Sequence, residues 1–197
     1  MPQPFSAGVF VKQIVILFSG EGTNMVNLID TLHDKACHVA AAITNRPDAA
    51  GIARARERGV HVEVIDHTLF TDRESFDAAL VEAIGRYVPD LVVMAGFMRI
   101  LTPVFTDSVR AINLHPSLLP LFKGARAIER SFESDEPQGG VSVHWVTGEL
   151  DGGEIIMQEG FEKIEGESLE AFTARIRALE HDLLPRSVCK LFNIEAQ

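Results

Sequence analysis

The side chains best suited to chemistry sit at the end of an apolar run. Asn113-Leu114-His115 closes the stretch VRAINLH, and Pro116-Ser117-Leu118-Leu119-Pro120 follows. On a strand, residues two apart project from one face. An imidazole beside a carboxamide suits acyl transfer: the ring moves a proton, and the amide donates a hydrogen bond to a developing oxyanion. A single His is more often structural, and the Asn-x-His pairing at a strand end lifts this one above that reading. Asp151, in Leu150-Asp151-Gly152-Gly153, reads by itself as a turn residue. It gains meaning from His115, because an acyl-transfer imidazole uses a carboxylate to orient it and to favour its charged form.

A second constellation is Ser19-Gly20-Glu21-Gly22-Thr23-Asn24, between an apolar run and a helical stretch. Its glycines permit a tight turn, and the helix N-terminus behind it offers free amides to a phosphate. The plainer alternative is a turn capped by Thr23 or Asn24. A dinucleotide fingerprint needs a third glycine where Met25 stands and an acid where Thr44-Asn45-Arg46 stands, and no Walker A lysine is present. A mononucleotide or sugar phosphate therefore fits better than NAD or ATP. Met98-Arg99-Ile100-Leu101 either lines a flat aromatic pocket or packs as an ordinary loop. His144, on the apolar SVHWV segment, reads as structural or supporting. Glu180-His181-Asp182 has metal-ligand residue types, but neighbours on a helix point about 100° apart, so a solvated face and no metal site are expected. No Gly-x-Ser-x-Gly elbow occurs.

The elements that must position these groups follow from periodicity. VKQIVILF, HVAAAITN, VHVEVI, DLVVMAGF and VRAINLH read as strands. Between them, Asn24 to Lys35, Ala49 to Arg58 and Ser75 to Tyr87 have helical spacing, with a short helix at Val104 to Asp107. Alternating strands and helices imply a Rossmann-like open α/β sheet, parallel in its N-terminal half, with helices on both faces. GGVSVHWVT and GEIIMQEGF read as adjacent strands that make the C-terminal part mixed or antiparallel. A last helix spans about Ser168 to Leu191, with Pro185 expected to kink or split it. Ligands of such sheets bind beyond the carboxyl ends of the strands, where the chemical residues lie.

With 197 residues, 46% of them hydrophobic, the chain supports one domain with a sizeable core. Residues 11–192 form that domain, 1–10 a flexible extension (Val11 being an alternative native start) and 193–197 a tail. A net charge of −10 excludes general nucleic-acid binding but not one anionic small ligand. Cys37 and Cys189 lack metal or CxxC spacing, which suits a reducing compartment. No run is long enough to span a membrane, and MPQPFSAGVF lacks signal-peptide features, so a cytoplasmic protein is expected. A monomer and a homodimer both remain open.

SGEGTN, AGFMRIL, NLHPSLLP and SVHWVTGELDGG, with Gln158 downstream, resemble the phosphoribosylglycinamide formyltransferase family, folate-dependent enzymes of purine synthesis. The likeness runs from Val11 to about Phe192. It implies the formyltransferase fold, 10-formyltetrahydrofolate as co-substrate, glycinamide ribonucleotide as formyl acceptor, and no metal. It implies Asn113, His115 and Asp151 as catalytic. It assigns Gly22, Thr23, Asn24, Arg177 and Glu180 to the ribonucleotide. To the folate it assigns Arg73, Met98, Arg99, Ile100, Leu101 and Asn113, together with Thr147, Gly148, Glu149, Leu150 and Asp151. One departure is Ile128, where members often carry a His, with Arg126 as a substitute anion ligand. The sister activities are a formyltetrahydrofolate hydrolase and a methionyl-tRNA formyltransferase. Both lack support, from a missing N-terminal domain and a missing basic C-terminal domain respectively, and Pro116 favours the transferase over the hydrolase. A non-catalytic folate- or nucleotide-binding protein is the remaining alternative.

Overall fold

The computed structural model describes residues 11–194, so the expectations for 1–10 and for 195–197 lie outside the described residues. The Val- and Ile-rich runs form β1 (Gln13–Phe18), β2 (His38–Thr44), β3 (Val62–Val64), β4 (Leu91–Met94) and β5 (Ala111–His115). These pair in parallel, and β6 (Gln138–Trp145) and β7 (Ile155–Glu162) add antiparallel pairs. One sheet results, in the order β3-β2-β1-β4-β5-β6-β7. β1 shows why its sequence is apolar throughout. Ile14, Ile16 and Phe18 enter one core while Val15 and Leu17 enter the other.

Among the described residues six α-helices surround the sheet: α1 (Thr23–Leu32), α2 (Gly51–Arg56), α3 (Arg73–Gly85), α4 (Pro103–Thr106), α5 (Ala127–Glu133) and α6 (Leu169–Phe192). Met25, Leu28, Ile29 and Leu32 of α1 pack with Phe172, Ile176 and Leu183 of α6 in the first core. Phe76 and Leu80 of α3 and Phe105 of α4 fill the second. Gly59, at φ 75, follows α2, and Val60 N–H donates back to the Ala55 carbonyl at 3.1 Å. Among the described residues no helix is long and apolar enough to cross a membrane.

Three local expectations are corrected. The residue that caps α1 is Gly22, in a left-handed conformation with no side-chain bond, so neither Thr23 nor Asn24 caps the helix. α5 is an element that periodicity left unread. Pro185 does not split α6, which is continuous from Leu169 to Phe192. A proline lacks the N–H that would bond the carbonyl four residues earlier, and here that carbonyl, of His181, accepts Asn27 Nδ2 from α1 at 2.6 Å. Ser168 caps α6 as expected, accepting from Ala171 N–H at 3.1 Å. Asn193, left-handed, closes its other end, and Ile194 packs against the core.

Candidate active site

The strand order reverses between β1 and β4, and the loops after these two strands meet there. Ser19 N–H donates to Gly96 O at 3.0 Å, and Met98 N–H donates to Ser19 Oγ at 2.8 Å. In the loop after β1, Gly22 has φ 68, and a Cβ there would lie 2.7 Å from Met25 Cε and 3.2 Å from the Gly51 backbone. Only glycine fits both the conformation and the space. The first-turn amides of Thr23, Asn24 and Met25 have no protein acceptor among the described residues. The turn lines a cavity of about 250 Å³, with Arg46 and Gly96 opposite. Free amides at a helix N-terminus form a place for an anion. Glu21, the acid in this turn, is engaged by Arg54 at 2.7 Å.

Asn24 joins this turn to α6. Its Nδ2 donates to Glu180 Oε2 at 3.0 Å, and its buried Oδ1 has no partner. Glu180 is half-buried, which corrects the expectation of a solvated face for this residue, whereas Asp182 is exposed. Burial raises the Glu180 carboxyl above its ordinary range, against the pull of Asn24 and Arg177.

The second group converges from β5, β6 and the β6–β7 connection. His115 Nδ1 lies 3.4 Å from Asp151 Oδ2, and Asn113 Nδ2 lies 3.5 Å from Asp151 Oδ1. Gly124 N–H donates to Asp151 Oδ2 at 2.7 Å. Sheet register pairs Asn113 with His144, whose Nε2 is 3.3 Å from Asn113 Nδ2 and 3.6 Å from Asp151 Oδ1. His115, His144 and Asp151 are all buried, Asp151 on left-handed backbone at φ 48. Two backbone carbonyls set the tautomers, since a carbonyl only accepts. His115 Nε2 donates to Phe122 O at 3.0 Å, leaving Nδ1 toward Asp151. His144 Nδ1 donates to Trp145 O at 2.9 Å, leaving Nε2 to accept from the Asn113 amide.

Burial pushes the Asp151 carboxyl up, but the His144 contact, the Gly124 amide and the two rings outweigh it and hold it below the ordinary carboxylate range. For His115 the balance runs the other way. Burial lowers its pKa, and Asp151 and the Phe122 carbonyl raise it without overcoming burial. The pull of Asp151 toward the charged ring has the expected sign, and burial, which residue types alone did not weigh, is the larger effect. The surroundings thus favour the neutral form of the ring and the ionised form of the carboxylate.

Residues 12–188 match the formyl transferase family. The chain belongs to that family. It is 40% identical over 176 residues to the phosphoribosylglycinamide formyltransferase of Escherichia coli, covering 87% of this chain and 83% of the relative. It is 34% identical over 188 residues to the trifunctional purine biosynthetic protein adenosine-3 of Bos taurus, covering 93% of this chain and 19% of that protein. The crystal structure of phosphoribosylglycinamide formyltransferase from Campylobacter jejuni superposes with a TM-score of 0.91 at 48% identity, covering 94% of this chain and all of that one.

Around this cluster the other expected residues take different positions. Arg73 opens α3 and is exposed. Met98 and Ile100 are exposed, Leu101 packs on the second core, and Arg99 lies with its guanidinium 4.5 Å over the Phe76 ring. The end of that loop is pinned by buried Asp77, which accepts from Thr102 N–H at 2.6 Å and Thr102 Oγ1 at 2.7 Å. Thr147, Gly148, Glu149 and Leu150 are exposed in the connection that carries Asp151, with Glu149 paired to Lys123 at 2.8 Å. Arg177 is exposed one turn before Glu180. Ile128 packs on the first core, and Arg126 caps α5 in a left-handed conformation.

Sequence reasoning undervalued His144, whose signal was its place on the strand that returns beside β5. It missed Gly124, which carried no chemical signal because it contributes only a backbone amide. It also passed over His33, Asp34 and His38, whose ligand atoms lie within 4.8 Å of one another. His33 Nδ1 already accepts from Val39 N–H at 3.0 Å, so its proton sits on Nε2 toward Asp34, with no lone pair left for an ion.

Proposed function

We propose that the chain transfers the formyl group of 10-formyltetrahydrofolate to the amine of glycinamide ribonucleotide, a step of de novo purine synthesis. The observation that carries the reading is the convergence of Asn113, His115 and Asp151 from two distant segments, with the Asp151 carboxylate within 3.5 Å of both other side chains, at the same sheet edge as an open helix N-terminus. The E. coli and C. jejuni relatives bear the name of this activity.

In the proposed reaction the amine attacks the formyl carbon and a carbon–nitrogen bond forms. The carbonyl electrons move onto oxygen, where the Asn113 amide donates a hydrogen bond. His115 takes up the amine proton, and Asp151 stabilises the imidazolium. The bond from carbon to the folate nitrogen then breaks, and the proton passes to that nitrogen. No covalent enzyme intermediate and no metal enter this scheme. Gly22, Thr23, Asn24, Arg177 and Glu180 hold the ribonucleotide. Arg73, Met98, Arg99, Ile100, Leu101 and the 147–151 segment hold the folate. Fixing two substrates in register supplies much of the acceleration. We place the reaction in the cytoplasm, a reading supported by the free thiols Cys37 and Cys189. The working unit is a monomer or homodimer.

The test mixes protein and 10-formyltetrahydrofolate with and without glycinamide ribonucleotide and follows deformylated folate. Release that depends strictly on the ribonucleotide supports the transferase. Release without it indicates a hydrolase, and no release in either case indicates a binding protein.

A further inference from the structure

The segment 122–124 links the two ionisable members of the centre through its backbone. Phe122 O accepts from His115 Nε2 at 3.0 Å, and two residues later Gly124 N–H donates to Asp151 at 2.7 Å. The segment does not hold this shape by itself. Phe122 has φ 56 and Gly124 has φ 79, and the first is an unfavourable conformation for a residue with a large side chain. Something outside the segment must keep it in place. Arg130, on α5, reaches back to do so, its Nη2 donating to Phe122 O at 2.8 Å and also to Lys123 O. The Phe122 oxygen has two lone pairs and serves both the ring and the guanidinium.

We propose that Arg130 is a positioning residue for His115, clamping the Phe122 and Lys123 carbonyls so that the 122–124 segment stays against both His115 and Asp151. No sequence motif marks Arg130, and nothing else in the centre gives it a role. The clamp has a chemical consequence beyond rigidity. While Phe122 O is fixed, the neutral His115 ring carries its proton on Nε2 and keeps Nδ1 as the basic nitrogen beside Asp151. A loosened carbonyl frees the ring to protonate Nδ1 instead and donate to Asp151, which moves the basic nitrogen to the wrong side. The charged and titratable groups facing His115 are Asp151 from the β6–β7 connection, His144 from β6 and Arg130 from α5. Of these, Arg130 and His144 disfavour the imidazolium and Asp151 favours it.

Arg130 is exposed, so its side chain can be replaced without opening the core. The experiment compares R130A and R130K with the unmodified protein by nitrogen-15 NMR of the histidine rings, using the H115Q variant to assign the His115 signals, and by steady-state kinetics. The expected result for R130A is a mixture of Nε2–H and Nδ1–H forms in the neutral His115 ring, because the Phe122 carbonyl is no longer held against Nε2. Its kcat falls roughly ten- to a hundredfold, the size of loss that misplacement of a catalytic group produces, with both KM values little changed. R130K restores only part of the native tautomer and part of the kcat, because it keeps a cationic donor but lacks the planar fork. An R130A protein with an unmodified tautomer at His115 overturns the proposal, whatever its kcat. The kinetic arm rests on the formyl-transfer reading, whereas the NMR arm reads the free protein. Failure of that reading would therefore appear as no turnover in the unmodified protein, and failure of the clamp as unmoved His115 signals.

Discussion

Replacing Asp151 by Asn keeps the shape of the side chain and removes its charge. The Asn oxygen can still accept from Gly124 N–H, which lies 2.7 Å from the native carboxylate, so the loop is expected to stay in place. What is lost is the attraction to the imidazolium of His115. At the 3.4 Å separation in the structure, Coulomb's law with an effective dielectric of about 20 gives a gross interaction of about 5 kcal/mol. Keeping a buried carboxylate desolvated offsets part of that, leaving a net of roughly 3–5 kcal/mol in a transition state where the ring is charged. Converted to rate, this is a fall in kcat of roughly 10²- to 10⁴-fold, within the range that positioned acid–base groups supply. The pH profile must move as well. Burial lowers the His115 pKa, and Asp151 and the Phe122 carbonyl oppose it, so D151N leaves only the carbonyl against burial and shifts the limb set by this ring to lower pH. The assay is ribonucleotide-dependent folate deformylation across the pH range, with the KM for ribonucleotide expected to hold. A D151N enzyme with near-native kcat, or with an unmoved profile, would refute the reasoning.

Gly22→Ala forces a side chain into a left-handed position between Met25 and Gly51. It should cost about 1–2 kcal/mol of stability and raise the KM for ribonucleotide severalfold while saturating kcat is largely kept, as read by substrate titration and thermal melting. Ser168→Ala removes the hydrogen bond that caps α6. Loss of about 1 kcal/mol is expected, seen as a Tm lower by roughly 2–4 °C, with kinetics unchanged. The lowered pKa of His115 also makes stability depend on pH. On acidification the unfolded chain takes up this proton first, so stability falls as pH drops below the ordinary histidine range toward the lower folded value. H115Q should flatten that part of the decline, measured as urea midpoints between about pH 7.5 and about pH 5.5, and an equally steep decline in the variant would contradict the assignment.

The strands were legible because they are buried on both faces or alternate cleanly, and burial writes itself into residue type. β1 and β4 are apolar at almost every position and lie within their predicted runs, whereas β6 begins one residue before its run and β7 ends one residue after its own. Asn113 and His115 were legible through the two-residue repeat of a strand. The meeting of His115 with Asp151 was not readable from spacing, since it depends on how a 36-residue interval folds back through β6. It came instead from chemical need and family likeness. α5 escaped because it is only seven residues long and follows a loop rich in proline and glycine. The missed cap of α1 has a different cause. Thr23 and Asn24 have capping side chains, but the left-handed Gly22 takes the capping position and leaves the first amides free. The net pKa of His115 was unreadable because it is a contest between burial and charge, and only coordinates say which is larger.

The proline in α6 shows how an interruption can carry information. Because residue 185 cannot bond the His181 carbonyl, that oxygen is offered sideways, and a side chain 154 positions earlier in the chain answers it. The last helix thereby has an address on the first. It settles at the turn where Asn27 waits, and Glu180, the residue before the offered carbonyl, arrives opposite Asn24. A helix with a complete set of its own bonds would be tied to α1 only by the Asn24–Glu180 bond and by apolar contacts, and apolar contacts tolerate sliding by a turn. The gap in the ladder removes that tolerance, so α1 and α6 must be correctly joined before the proposed ribonucleotide seat, with Asn24 on one side and Glu180 on the other, is complete.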